Sequence, residues 1–308
     1  MARRVFSRLT KAALAAAGLL AVTLLVLIGT TPDVTPLERH LPEHTSYMRA
    51  RAATLGLPED VYRTEPMEVV TTAPLLACAV VKSEDVSFFR HGGLDWDQLM
   101  NAIASMRRQV MGASTITQQL ARNLYLTPDQ TVVRKLREAF IARALERKLS
   151  KHRILDIYLN VIEWGPESWG IVSAARYYFR KAPAELDVFE VSFLSAIIPA
   201  PRQPLQGANL ARAERVQRRV LYQLYVSGII EEGDWHRAMA RARATFASLR
   251  QGLALEEALS CPQCRLEGDD GAEPPLVVRM EEAPLPREAW LETGCGVERN
   301  LREVRRPL

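Results

Sequence analysis

Beyond about Pro74 the sequence runs in helical period almost without interruption, and the two-residue alternation that builds sheets is scarce. Good helix formers fill the windows 97–109, 114–126, 131–149, 151–162, 168–180, 187–198 and 208–227. A chain written this way buries its apolar residues by packing helix on helix, so the expected fold class is mainly α. Its 308 residues suffice for one large or two small domains with an apolar core. From about residue 247 the period weakens, and Gly268 to Pro275, GDDGAEPP, reads as a loop.

A different pattern precedes the helical region. Arg3, Arg4, Arg8 and Lys11 lead into AALAAAGLLAVTLLVLIGT, Ala12 to Thr30, which is uncharged and mostly apolar. About 20 such residues are what a helix needs to cross a bilayer. No A-x-A cleavage pattern follows at Gly29 to Asp33, which disfavours the rival reading of a cleaved signal peptide. The expectation is a basic cytoplasmic tail at 1–11, a single transmembrane helix at 12–30, and the rest of the chain outside. Residues 31–65, rich in proline and charge and without a sustained period, read as a stalk with at most one short helix. The tail alone accounts for the formal charge of +4, so nothing in the charge argues for nucleic acid.

Of the four cysteines, Cys78 lies in the apolar stretch LLACAVV and reads as a small core residue. Cys261, Cys264 and Cys295 lie near the C-terminus, where an oxidising exterior would allow a pair among them to form a disulfide. CPQC alone is a weak zinc signal, since no fourth ligand is evident.

Three stretches carry chemistry. VVKSEDVSFFRHGGLDW, residues 80–96, sets Glu84 and Asp85 directly after an apolar run. A carboxylate among apolar and aromatic neighbours has its pKa raised and is prepared to accept a proton near neutrality. The bland alternative is a helix-end pair satisfied by local backbone. In TVVRKLREAFIARALERKLSK, Val133, Leu136, Phe140 and Ala144 recur at steps of three and four and read as the core face. Glu138 lies about 200° from Leu136, on a second apolar face with Ile141 and Leu145 and with Arg134 one turn before it. It is either a partly enclosed carboxylate with a guanidinium in reach or half of an exposed ion pair. Glu84 and Glu138 can converge on one cleft in a helical domain, and paired carboxylates are what displacement at a sugar carbon needs. The third stretch, GASTITQQLARNLYL, crowds Ser114, Thr115, Thr117, Gln118, Gln119, Arg122 and Asn123 at a helix start, where they cap the helix or face a polar ligand such as a phosphate. Trp164, Trp169, Tyr177, Tyr178 and Phe179 read as core rather than as a sugar platform. The segment Trp96 to Val110 reads as an amphipathic helix.

In order along the chain, SEDVSFFRHGGLD, GASTITQQLARNLYL, RKLREAFIARALE, KHRILDIYLNVIEWGPESWGIVSAARYYF and EVSFLSAIIPAP resemble the five motifs of the peptidoglycan glycosyltransferases. That family is the family-51, lysozyme-like transglycosylase domain of monofunctional transglycosylases and class A penicillin-binding proteins. The resemblance covers about residues 66 to 228. It implies a lysozyme-like helical glycosyltransferase domain at 66–246 behind the single N-terminal transmembrane helix. Residues 247–308 are a C-terminal extension without a counterpart.

The implied activity is polymerisation of lipid II into glycan strands on the outer, periplasmic side of the bacterial inner membrane, with release of undecaprenyl diphosphate. By resemblance Glu84 is the general base that deprotonates the acceptor's sugar 4-hydroxyl as it attacks the donor's anomeric carbon. Glu138 is the second catalytic glutamate, at the donor diphosphate, where it binds a divalent cation or assists departure. Ser114, Thr115, Gln119, Arg122, Arg134 and Lys135 fall on substrate-binding positions, and Asp85 and His91 join them as supports of the first motif, with Asp95. The implied cofactor is Mg²⁺ or Mn²⁺. The implied partners are lipid II, the growing strand, the membrane and a separate transpeptidase, because no S-x-x-K with a later K-T-G is present.

Two positions depart from the family. Arg122 stands where lysine is usual, which keeps the charge and changes its geometry. Gln130 stands where the family usually has arginine, and an amide cannot neutralise a phosphate. A scaffold that keeps the fold without turnover is therefore one rival, and a glycan-cleaving enzyme of the wider lysozyme-like group is another.

Overall fold

The computed structural model describes residues 2–97, 100, 114–260, 290, 294 and 295. Twelve α-helices and one small hairpin are found among them, in the order α1 (Ala2–Gly29), α2 (Ser46–Thr54), α3 (Val69–Thr72), α4 (Pro74–Glu84), α5 (Ile116–Tyr125), α6 (Val132–Lys148), α7 (Lys151–Val161), β1 (Glu163–Gly165), β2 (Ser168–Trp169), α8 (Ile171–Phe179), α9 (Val188–Ile197), α10 (Gly207–Val226), α11 (Glu232–Arg250) and α12 (Leu255–Ser260). The mainly α expectation holds. The exception is the hairpin, whose antiparallel strands pair Glu163 with Trp169.

Helix α4 is the axis of the domain. Pro74 opens it, where a missing N–H costs nothing, and Leu76 to Val81 are all buried. A helix apolar on every side belongs at the centre, and α4 packs against α9 and α10. Helix α9 is itself buried from Phe189 to Ile197 and starts with Asp187 and Glu190 in a reciprocal capping box. Around this axis, α5 packs on α6, α7 and α2. Thr115, Thr131 and Ser150 cap α5, α6 and α7 with their side-chain oxygens, so the helix starts are written locally in the sequence.

Several expectations are revised. On α6 the inward face is the one bearing Glu138, Ile141, Ala142 and Leu145, whereas Val133 and Leu136 are exposed at 59% and 45%. Of the stripe read as core, Ala144 is buried in the main core and Phe140 is half-buried, so only its N-terminal part turns outward; the face with Glu138 can be buried because its charge is paired. Cys78 is in the main core, as read, but it forms a disulfide with Cys295, 217 residues away, so Cys295 does not pair with Cys261 or Cys264; Trp290 is buried in the same core. The stretch expected as a stalk packs on the domain, with Val34 and Leu37 in the main core and Met48, Ala52 and Tyr62 in a second cluster with Trp169. Helix α11 continues to Arg250, past the point where the sequence period weakens; Arg241 on it pairs with Asp187 at 2.8 Å and lies over Phe189. Trp164 and Trp169 are core, as read; Tyr178 and Phe179 pack against it, and Tyr177 is exposed.

The apolar run at 12–30 falls, all but Thr30, within α1, a single helix of 28 residues. Counting only the residues described side chain and all, no helix is long and apolar enough to cross a membrane. Most of the amphipathic segment Trp96 to Val110, together with the CPQC pair and GDDGAEPP, lies outside the described residues.

Candidate active site

Glu84 is the last residue of α4, where the buried axis meets the surface of the domain. The carboxylate is half-buried and tightly held. Gln119 Nε2 on α5 donates to its Oε2 at 2.9 Å, and Ser83 Oγ donates to its Oε1 at 3.2 Å and to the Ser195 carbonyl at 3.1 Å. Tyr158 on α7 donates its hydroxyl to Gln119 Oε1 at 2.9 Å, which fixes the amide so that its NH₂ end meets Glu84. Burial pushes the Glu84 carboxyl above the ordinary value; the Gln119 and Ser83 hydrogen bonds, and then Arg219 and Arg212 on α10, pull it part of the way back. Desolvation dominates, so the group is a base whose affinity for a proton exceeds that of a surface carboxylate.

Asp85, next in the chain, does a different job. It is buried, accepts from the backbone N–H of Ile116 at 3.0 Å, and holds His91 Nε2 at 3.0 Å. Gly93 N–H donates to His91 Nδ1 at 3.2 Å, so Nε2 carries the hydrogen toward Asp85. A side chain at Gly93 would meet the Ala142 carbonyl at 3.2 Å, and its φ of 92° is one that glycine takes without strain. Ser87 donates to Asp95. Thr115 donates to the Gly93 carbonyl at 2.7 Å while capping α5. At the start of α5, where the sequence left capping or a polar ligand such as a phosphate open, Asp85 and Thr115 take the helix end and Gln118 completes the capping box.

Glu138 is fully buried, which decides against an exposed ion pair. Arg134 Nη1 donates to Oε2 at 2.8 Å, and Lys135 Nζ bonds Oε1 and also donates to Ser114 Oγ at 2.8 Å. Ser114 in turn receives Gln119 Nε2 on its carbonyl at 3.5 Å. The two glutamates are therefore joined through Gln119, Ser114 and Lys135. A cavity of about 350 Å³ opens on the far side of the two cations that pair with Glu138, lined by Arg122, Gln130, Arg134, Lys135 and Tyr47. A larger one of about 960 Å³ has His91, Asp95, Trp96 and Arg143 in its wall; neither glutamate lines either cavity, and the smaller one reaches Glu138 through Arg134 and Lys135.

A divalent cation was expected at Glu138. The donor set there does not fit one, because both carboxylate oxygens already face a cationic side chain. Among the described residues a different group, Asp85, His91 and Asp95, brings ligand atoms within 4.8 Å of one another. Hydrogen bonds to Ile116 N–H, Gly93 N–H and Ser87 already engage that group.

Of the residues singled out in the sequence, Glu84, Ser114, Gln119, Lys135, Arg134 and Glu138 form one connected array, and Arg122 lines the cavity beside it. Asp85, His91 and Thr115 lie behind the array and brace it. Sequence reasoning missed Ser83, Tyr158, Arg212, Arg219 and Tyr47. Tyr158 lies among the apolar residues Ile154, Leu155, Ile157, Leu159 and Val161 and looks like an ordinary core aromatic, so nothing local marked it.

A half-buried base coupled to a cation-lined cavity defines a group-transfer site suited to an anionic leaving group. Residues 53–225 match the family model described as transglycosylase, and the chain belongs to that family. A protein of Methylobacillus flagellatus named biosynthetic peptidoglycan transglycosylase is 42% identical over 168 residues, covering 53% of this chain and 73% of that protein. Proteins of the same name from Chromobacterium violaceum and Nitrosospira multiformis are 41% and 37% identical, over 59% and 58% of this chain and 84% and 80% of their own.

Proposed function

We propose that this chain is a peptidoglycan glycosyltransferase that polymerises lipid II and has no transpeptidase activity. The observation that carries the reading is the hydrogen-bonded line from Glu84 through Gln119, Ser114 and Lys135 to Glu138, ending beside three cationic side chains. In the reaction, the acceptor's sugar 4-hydroxyl gives its proton to Glu84 as its oxygen bonds to the donor's anomeric carbon. The bond from that carbon to phosphate breaks with inversion, and the electron pair leaves on undecaprenyl diphosphate. Arg122, Arg134 and Lys135 hold the charge that accumulates there. Glu138 keeps Arg134 and Lys135 in place by pairing with both.

Mg²⁺ or Mn²⁺ would supply further positive charge at the diphosphate, but Glu138 as it stands offers it no free oxygen, and no step is routed through it. The apolar part of α1 is the membrane anchor, which sets residues 66–246 against the periplasmic face of the inner membrane beside the lipid substrate. A separate transpeptidase cross-links the product. Removing residues 2–30 should release the protein from membranes on fractionation; retention in the membrane pellet would refute the anchor.

The test of the activity is incubation of the purified, detergent-solubilised full chain with labelled lipid II, followed by separation of polymer from substrate. Polymer from the wild type and none above background from Glu84→Gln is expected, since a positioned base contributes about 10²- to 10⁴-fold. Binding of lipid II without polymer would favour the scaffold reading that Gln130 motivates.

A further inference from the structure

The cation cavity has a wall that none of the five motifs supplies. Tyr47 lies on α2, upstream of the family match at 53–225, yet it lines the cavity with Arg122, Arg134 and Lys135. Its place is fixed by its neighbours. Ser46 Oγ donates to the Leu124 carbonyl at 2.9 Å, tying α2 to the end of α5, and Met48 and Ala52 are fully buried in the cluster with Tyr62 and Trp169. The Arg122 guanidinium lies 6.0 Å from the centre of the Tyr47 ring, at the reach of a cation–π contact. A planar guanidinium uses an aromatic face better than an ammonium does, which gives the arginine at this position a partner suited to it. The phenol lies within electrostatic reach of Arg122 and Arg134; a phenol is protonated at neutral pH, and burial raises its pKa further, so it can donate to an anion.

We propose that Tyr47 is a substrate-positioning residue, whose ring holds Arg122 at the cavity and whose hydroxyl donates to a phosphate oxygen of the donor's diphosphate. This rests on the reading of the cavity as the diphosphate site. The role extends the substrate site onto the segment before the family domain and explains why that segment is packed rather than free.

The experiment measures KM and kcat for lipid II, and separately the binding of inorganic diphosphate by calorimetry, on full-length wild type, Tyr47→Phe, Tyr47→Ala and Arg122→Lys, with Tyr47→Ala repeated in the Arg122→Lys background. Tyr47→Phe, which keeps the ring, should raise KM about threefold to tenfold by losing one hydrogen bond to a charged group. Tyr47→Ala should raise it further, with kcat within about twofold of wild type, and diphosphate binding should weaken in parallel. In Arg122→Lys the added effect of Tyr47→Ala should shrink, because the stacked partner is gone. Wild-type KM and diphosphate affinity in Tyr47→Ala would overturn the role of Tyr47 alone. So would equal losses in Tyr47→Phe and Tyr47→Ala accompanied by a lower Tm, the mark of a purely structural residue. A wild type that neither polymerises lipid II nor binds diphosphate would overturn the reading of the cavity, and Tyr47 with it.

Discussion

Glu84 combines two properties that pull against each other. Its burial raises its affinity for a proton, and the same burial makes the ionised form expensive to hold in the folded chain. With a folded pKa above the unfolded one, Glu84 costs the fold nothing while both states are protonated. It destabilises the fold progressively as pH rises from the ordinary value of 4.5 toward the raised one. Glu84→Gln should therefore raise Tm at pH about 8 and leave it near wild type at pH about 4, as read by calorimetry across that range. An unchanged Tm difference at both ends would contradict the desolvated carboxylate. Tyr158 makes no hydrogen bond to Glu84 itself and orients it through Gln119. Tyr158→Phe should lower kcat about fivefold to twentyfold, the worth of one orienting hydrogen bond, with little change in KM for lipid II. Glu84 and Gln119 were each legible, but the part of Tyr158 was not, because it is 39 residues from Gln119 and looks like an ordinary core aromatic in its own helix.

At the scale of elements, α5 and α6 were almost fully legible, since Thr115 and Thr131 announce their starts by a capping pattern that needs no tertiary information. The orientation of α6 was not. Val133 and Leu136 share a stripe that fits the helical period as well as Ile141 and Leu145 do, and which stripe turns inward depends on where the charges find partners. Glu138 found Arg134 and Lys135, so the face with a carboxylate could be buried. Glu138→Ala should destabilise the protein by about 2 to 4 kcal/mol in chemical denaturation, with the half-exposed Lys135 placing it below a fully enclosed pair. The outward stripe gives the contrasting expectation. Leu136→Ala, at 45% exposure, should cost under about 1 kcal/mol; a larger loss would mean that this face is covered.

Across the whole molecule, residues far apart in sequence close on the same axis. The disulfide from Cys78 on α4 to Cys295 ties the C-terminal extension to the helix that ends in Glu84, and a pairing over 217 residues leaves no local trace. Cys295→Ala should lower stability by about 2 to 5 kcal/mol, and reductant should lower the Tm of the wild type without affecting that of the variant. The setting of Glu84 is likewise assembled from α4, α5, α7 and α10, which contribute the carboxylate, Gln119, Tyr158 and the two arginines. The central claim, that this assembly turns Glu84 into the base of glycan polymerisation, is tested most directly by the pH dependence of kcat/KM for lipid II with the full-length enzyme. The account predicts an acid limb on which activity falls tenfold per pH unit, centred above the ordinary carboxylate value of 4.5 and absent from any residual activity of Glu84→Gln. A profile flat from pH about 8 down to about 4.5, or the same limb in Glu84→Gln, would contradict it.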